Sequence, residues 1–306
     1  MKVLVATEKP FAPAAVEQIK SIVENAGHEF ALLEKYSDKS ELLNAVADVH
    51  ALIIRSDKAT REVIEAAPNL KIIVRAGAGY DNIDLEAATE KGIVAMNTPG
   101  QNSNAVAELA LGMMVYIARG KFNGKPGTEL KGKTLGIHAY GHVGKLVGKI
   151  AMGFGMNVSA FDPFISAESI EADGVKVYSS VEDLYANNQY VSLHIPANEQ
   201  TRNSINYDLL NRMPKGATLV NTARKEVVDE DSLVKLMTER DDFKYVSDIA
   251  PNNAEELLEK FNDRCYFTPK KMGAQTAEAN LNAGVAAANQ IIKFFETGDT
   301  TFQVNK

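Results

Sequence analysis

Two glycines and an acid carry the clearest chemistry in this chain. Residues 134–164 read TLGIHAYGHVGKLVGKIAMGFGMNVSAFDPF, the order of a strand, a glycine turn, a helix, a second strand and then Asp162. Gly141 and Gly144 carry no Cβ, so backbone can approach a pyrophosphate, and the helix that starts there offers free N–H groups and the positive end of its dipole. Asp162 stands 18 residues after Gly144, close to the spacing at which an acid ending the second strand meets a ribose 2′-hydroxyl. That carboxylate would repel a 2′-phosphate, and no Arg or Lys lies between Phe161 and Ser169 to receive one. The motif therefore specifies NAD rather than NADP. Its usual first glycine is Ala139, giving A-x-G-x-x-G.

The elements needed to position such a turn recur along the chain. KVLVAT, EFALLE, HALIIRS, KIIVRA and IVAMN alternate with helix-like stretches at residues 13–25, 40–47, 60–67 and 85–91. Short apolar runs separated by amphipathic helices imply a parallel sheet covered on both faces. A second series starts at Thr134 and continues through VSAFD, VKVY, YVSLHIP, ATLVNTA, FKYVSDIA and CYFTP. The expected fold is α/β, with two doubly wound parallel-sheet lobes, Rossmann-like or flavodoxin-like, and an active-site cleft between them. Residues 1–97 plus 284–306 are expected to form the substrate-binding domain and residues 98–283 the NAD-binding domain. Residues 104–119 and 276–297 are helix-like and apolar or small on nearly every face, as buried helices are. Internal packing and a dimer interface both account for the first of them. The terminal TTFQVNK is β-like and is expected to return to the first lobe.

Composition narrows the class. A chain of 306 residues exceeds what one hydrophobic core usually serves. The net charge of −7 with dispersed basic residues argues against a nucleic-acid surface. The single cysteine, Cys265, excludes an internal disulfide framework, and neither paired cysteines nor clustered histidines suggest a metal site. The apolar run at the amino terminus is too short for a signal peptide, and the longest apolar stretch, residues 109–118, is half a membrane span. A soluble, cytoplasmic protein with no membrane partner is expected.

Further segments sit at the carboxyl ends of predicted strands: RAGAGYDNID from Arg75, NTPGQN from Asn97, LHIPANEQTRNSIN, LVNTARKEVVDE and FTPKKMGAQTAEA. Together with the glycine turn they resemble the D-2-hydroxyacid dehydrogenases, above all the D-3-phosphoglycerate dehydrogenases, over nearly the whole chain. The resemblance implies NAD-dependent interconversion of 3-phospho-D-glycerate and 3-phosphohydroxypyruvate, the entry to serine synthesis, by a homodimer. Two alternatives of the same fold are a hydroxypyruvate or glyoxylate reductase and a non-catalytic protein that senses NAD. Because the chain stops soon after Thr297, feedback by serine through an appended domain is not expected.

Residue by residue, the resemblance places the substrate carboxylate and carbonyl on Arg224, whose guanidinium makes paired contacts that a lysine cannot. The family's proton-shuttling histidine is absent: the segment runs Thr268, Pro269, Lys270, Lys271, Met272, Gly273, Ala274, and no histidine follows His194. Counting forward from Thr-Pro selects Lys270, and counting back from the glycine turn selects Lys271, which we favour. Partial burial and Arg224 nearby would lower its pKa toward the working range. The family's orienting glutamate is also missing, its position being Asn253, and this agrees with the first change because an acid beside a lysine would raise its pKa further. Glu255 and Glu256 are the nearby substitutes. The resemblance assigns cofactor contacts to Tyr140, Gly141, His142, Val143, Gly144, Asp162, His194, Pro196, Thr201, Thr222, Ala223, Arg224, Asp248, Gly273 and Ala274. His142 either caps the helix or faces a pyrophosphate, and His138, inside a strand, is expected in the core. For the substrate, Arg55, Ser56 and Lys58 follow one strand of the first lobe, and Arg75 with Gly77, Ala78 and Gly79 follow another. The cations suit a second anion, and the glycine turn offers N–H groups to a carboxylate. Asn102 is expected to border the same cleft.

Overall fold

The computed structural model describes residues 1–306, which divide into two compact units, Met1–Asn102 with Gln275–Lys306, and Ser103–Ala274. The return crossing precedes the last long helix, whereas a boundary at residue 284 would cut that helix.

In the first unit β1 (Lys2–Thr7), β2 (Glu29–Glu34), β3 (Ala51–Ile54), β4 (Ile72–Arg75) and β5 (Val94–Asn97) form one parallel sheet in the order β2-β1-β3-β4-β5. This is the flavodoxin-like order, whose reversal lies between β1 and β3. Helices α1 (Pro13–Asn25), α2 (Lys39–Ala45), α3 (Arg61–Glu65) and α4 (Leu85–Glu90) make the crossovers. The strands read as unbroken apolar runs because alternate residues enter different cores. Val3 and Val5 meet Ile19 and Val23 of α1, while Leu4 and Ala6 meet Leu42 and Val63 on the other face.

The second unit opens with α5 (Ser103–Ala118) and holds β6 (Thr134–His138), β7 (Asn157–Phe161), β8 (Lys176–Val177), β9 (Tyr190–Leu193), β10 (Thr218–Asn221), β11 (Lys244–Ser247) and β12 (Cys265–Phe267). All seven are parallel, in the order β12-β11-β10-β9-β6-β7-β8, with the reversal between β6 and β9, as in Rossmann folds. Its further helices are α6 (His142–Gly153), α7 (Ala167–Glu171), α8 (Val181–Ala186), α9 (Tyr207–Asn211), α10 (Glu230–Glu239) and α11 (Ala254–Phe261). Helix α5 sends Ala107, Ala110, Leu111, Met114 and Ile117 into the core it shares with α6 and the sheet, so packing within its own unit accounts for its apolar faces.

Helix α12 (Ala277–Thr297) belongs to the first unit and packs on α1 through Ala283, Ala287 and Ile291. The tail after it lies in the first unit but makes no strand. It forms one antiparallel bridge, Met96 to Gln303, and beyond it the Asn305 side chain does the work of a ladder, accepting from Ala95 N at 2.9 Å and donating to Ile93 O at 2.8 Å. No helix is long and apolar enough to cross a membrane.

Candidate functional site

The turn after β6 is built as its residue types require. Ala139 takes φ +76°, a left-handed conformation that a glycine would adopt without cost. Gly144 is fixed by close packing, since a Cβ there would overlap the Ala139 carbonyl oxygen and lie 2.9 Å from Ile137 Cγ2. Gly141 caps α6 with no side-chain hydrogen bond, and a Cβ built on it meets nothing within 4 Å. The N–H groups of the first turn of α6 thus face open space beside a residue without a side chain. A pyrophosphate fits this arrangement. Replacing Gly144 by alanine is expected to destabilise the protein by about 1–3 kcal/mol through overpacking. Replacing Gly141 by alanine should leave thermal stability intact and weaken NADH binding about tenfold or more, because the methyl group occupies only the ligand's approach. Thermal melts and NADH fluorescence titration separate the two.

Asp162, at the end of β7, accepts from Tyr140 N at 2.7 Å and from Phe164 N at 2.8 Å, so the acid is held against the glycine turn. Tyr140 itself is buried, its hydroxyl 3.3 Å from Asp173, and burial followed by that carboxylate raises its pKa to about 12. With its amide given to Asp162, what Tyr140 keeps for a ligand is its main-chain carbonyl. His142 and Val143 open α6, His142 exposed. The Thr222 hydroxyl, after β10, is buried with no partner, an orphaned polar atom beside Ala223 and Arg224 that suits a polar ligand group.

Several expected cofactor residues are engaged within their own loops. Thr201 donates to Pro196 O at 2.5 Å and to Asn198 Oδ1 at 3.1 Å, closing residues 196–201 on themselves. His194 Nε2 lies 2.9 Å from Ser192 Oγ, and its amide donates to His138 O. Burial, then His138, pushes the His194 pKa down to about 3; burial pushes that of His138, a core residue in edge contact with Phe161 and Tyr185, down to about 4. Both imidazoles are neutral in the fold and protonate near 6.5 once unfolded. The unfolded chain therefore binds more protons below pH 6.5, and stability is lost as pH falls toward 4. Between pH 7 and pH 5 the pair is expected to cost roughly 2–4 kcal/mol of unfolding free energy. Denaturant titrations at both values, repeated on His138→Gln, should show a shallower pH dependence in the variant.

Asp248, expected at the cofactor, stands at the end of β11. It is 1% exposed, and its carboxylate accepts from Thr268 Oγ1 at 3.0 Å, Met272 N at 2.7 Å and Gly273 N at 2.8 Å within its own unit. A Cβ on Gly273 would come 2.9 Å from that carboxylate, so glycine is required for the latch. Lys270 and Lys271 lie on the arch between the latched Thr268 and Met272, and Ala274 follows it. Both lysines are exposed, so the partial burial expected for Lys271 is not found.

Arg224, at the end of β10, is exposed, donates to Ala223 O at 2.9 Å and forms no ion pair. Neither expected substitute glutamate serves the segment after β11. Glu256 pairs with Lys260 at 2.7 Å on α11, and Glu255 is exposed. The carboxylate that reaches this segment is Glu230, at the start of α10, which accepts from Asn252 N at 2.8 Å while Lys225 donates to Asn252 Oδ1 at 2.6 Å. Sequence reasoning passed over Glu230 because it lies 22 residues away.

In the first unit the carboxyl ends of β3, β4 and β5 carry the expected substrate residues. Arg55 is more tightly bound than expected: it donates to Lys9 O, Pro10 O and Asn280 Oδ1 and lies over the Phe11 ring. All of these are neutral, so its charge is not cancelled, but much of its hydrogen-bonding fork is used. Ser56 and Lys58 are exposed on a loop fixed by two residues that sequence reasoning missed. Asn82 donates to Arg55 O and Asp57 O, and Asp57, 6% exposed, accepts from Glu8 N and Tyr36 Oη at 2.7 Å each. Gly77 has φ +154° and the Arg75 guanidinium fills the space of a side chain. Asn97 Nδ2 and Thr98 N hold the carbonyls of Ala78 and Gly77, leaving the amides of Ala78 and Gly79 without an acceptor in the protein. Asn102, half-buried, ends this unit. No group of three or more His, Cys, Asp or Glu is placed to hold a metal ion.

Residues 3–305 match the family model described as D-isomer specific 2-hydroxyacid dehydrogenase, catalytic domain. The chain is 37% identical over 283 residues to a hydroxypyruvate reductase of Thermotoga maritima, covering 87% of this chain and 91% of that one. It is 38% identical over 304 residues to a D-3-phosphoglycerate dehydrogenase of Methanocaldococcus jannaschii, covering 90% of this chain and 57% of the relative, and so spans little more than half of that protein. Among solved structures, an NAD⁺-bound 3-phosphoglycerate dehydrogenase of Entamoeba histolytica is similar over 100% of this chain and 99% of its own, with 48% identity and a TM-score of 0.87.

Proposed function

We propose that this chain, which belongs to the D-isomer specific 2-hydroxyacid dehydrogenase family and is an NAD-dependent oxidoreductase, interconverts 3-phospho-D-glycerate and 3-phosphohydroxypyruvate. The observation that carries the reading is the carboxyl edge of the second sheet, where an open glycine turn with its acid, a guanidinium without an ion pair and an arch bearing two lysines stand on the ends of one set of parallel strands. NAD, when bound, supplies or accepts the hydride at the substrate C2. Arg224 holds the substrate carboxylate and polarises the C2 carbonyl. Lys271 moves the proton at the C2 oxygen, and the amides of Ala78 and Gly79 add donors for the carboxylate. Lys58, whose ammonium forms no ion pair, and the charge of Arg55 favour a substrate with a second anion. The reading extends to a cytoplasmic homodimer in serine synthesis.

Similarity to a hydroxypyruvate reductase at 37% identity favours a second reading, reduction of the unphosphorylated ketoacid. Following NADH oxidation with 3-phosphohydroxypyruvate, hydroxypyruvate and glyoxylate in parallel decides between them. We expect kcat/KM for the phosphorylated ketoacid to exceed the others by about a hundredfold, near 2.7 kcal/mol of selective binding at RT ln 100. Equal or better turnover of hydroxypyruvate would replace this reading with the second.

A further inference from the structure

At the amino-terminal edge of the first sheet, the end opposite the expected substrate residues, lies a recess of about 630 Å³. Its walls follow from the strand register. His50 N donates to Lys2 O, Lys71 N to His50 O and Val94 N to Lys71 O, so the starts of β1, β3, β4 and β5 stand in one row. Lys71, just before β4, and Lys91, which caps the carboxyl end of α4, line the recess, with His50 and Asn69 beside them and Leu70 and Phe294 supplying an apolar wall.

The charge is one-sided. No acid lines the recess, and neither lysine takes part in an ion pair. The nearby carboxylates hold other partners, Asp48 with Lys2 at 2.8 Å and Glu90 with Arg61 at 2.5 Å, though Glu90 also feels the charge of Lys91. His50 Nδ1 accepts from Lys2 N at 3.1 Å, which leaves Nε2 to carry the ring hydrogen as a donor. In a chain of net charge −7, two ammonium groups without ion pairs at one concave site run against the overall field. Both ammonium groups border one recess, so a single dianion placed there can meet both. The volume also falls in the range of small-molecule sites, roughly 300–1,000 Å³.

We infer that this recess binds a phosphate monoester with an apolar body, its dianionic head on Lys71 and Lys91 and its body against Leu70 and Phe294. The site is independent of the dehydrogenase reading.

Phenyl phosphate is the probe, titrated into the isotope-labelled full chain at about 0.15 M salt, where loose ion pairing is largely screened. We expect saturable shifts of the Asn69, Lys71 and Gly92 amide resonances, and binding at least tenfold tighter than that of inorganic phosphate or phenol. Saturating NADH should leave these shifts unchanged. The variant K71E/K91E should lose them while keeping its NADH-dependent turnover, which also shows that it folds. Absence of saturation at about 20 mM, a value far weaker than ordinary small-molecule sites, would overturn the inference. So would shifts that NADH abolishes, equal binding of inorganic phosphate, or undiminished binding to the variant.

Discussion

Replacing Arg224 by glutamine is expected to lower kcat/KM for 3-phosphohydroxypyruvate about a thousandfold, near 4 kcal/mol, while NADH affinity stays within about threefold. The magnitude rests on what the side chain does in the fold. The Arg224 side chain has one hydrogen bond, to the carbonyl of its neighbour Ala223, and no acid partner, so its charge is available to a ligand and its removal leaves no buried carboxylate stranded. Glutamine keeps a polar N–H donor but is two bonds shorter than arginine and loses the charge and the paired donors that meet a carboxylate. Arg224→Lys restores the charge without the fork and should recover only part of the loss. Unchanged thermal melts would establish that the site, rather than the fold, was altered. A variant that keeps full kcat/KM would remove Arg224 from the chemistry.

The two parallel-sheet lobes were legible because β-rich runs alternate with amphipathic helices, and the long helices α1, α5 and α12 fall within a residue or so of their sequence positions. The glycine turn was legible for a similar reason: Gly141, Gly144 and Asp162 are read by local spacing. What escaped are contacts between residues far apart in sequence. Nothing local marks Asp248 as the latch of an arch about 20 residues on, or Glu230 as the carboxylate that meets Asn252. Arg55 looked like a free cation because Asn280, its partner at 2.5 Å, comes from a helix 225 residues away. The tail misled for a physical reason: TTFQVNK has strand composition, yet the Asn305 side chain takes over the hydrogen bonds that a continuing strand would have made.

Lys271→Ala is expected to lower kcat by about 10²–10⁴, the usual contribution of a positioned acid or base, with NADH affinity unchanged, whereas Lys270→Ala should stay within about threefold of the parent. The two residues share exposure and a common arch, so bulk charge does not separate them. Their relation to the latch does. Met272 N is fixed on Asp248 at 2.7 Å and Gly273 N at 2.8 Å, so the residue next to them inherits a defined backbone, while Lys270 follows Pro269 one step further from those bonds. A group that transfers a proton must be held within hydrogen-bond reach of the reacting oxygen, which favours the position nearer the anchor. Lys271→Arg separates charge from proton transfer, since a guanidinium stays protonated at working pH; it should bind substrate and turn over as slowly as the alanine variant. Added methylamine should restore part of the lost rate in Lys271→Ala, because a small amine fits where the lysine head was removed. If Lys270→Ala suffers the larger loss and responds to methylamine, the proton belongs to Lys270, and the count forward from Thr268 is the one the chemistry follows.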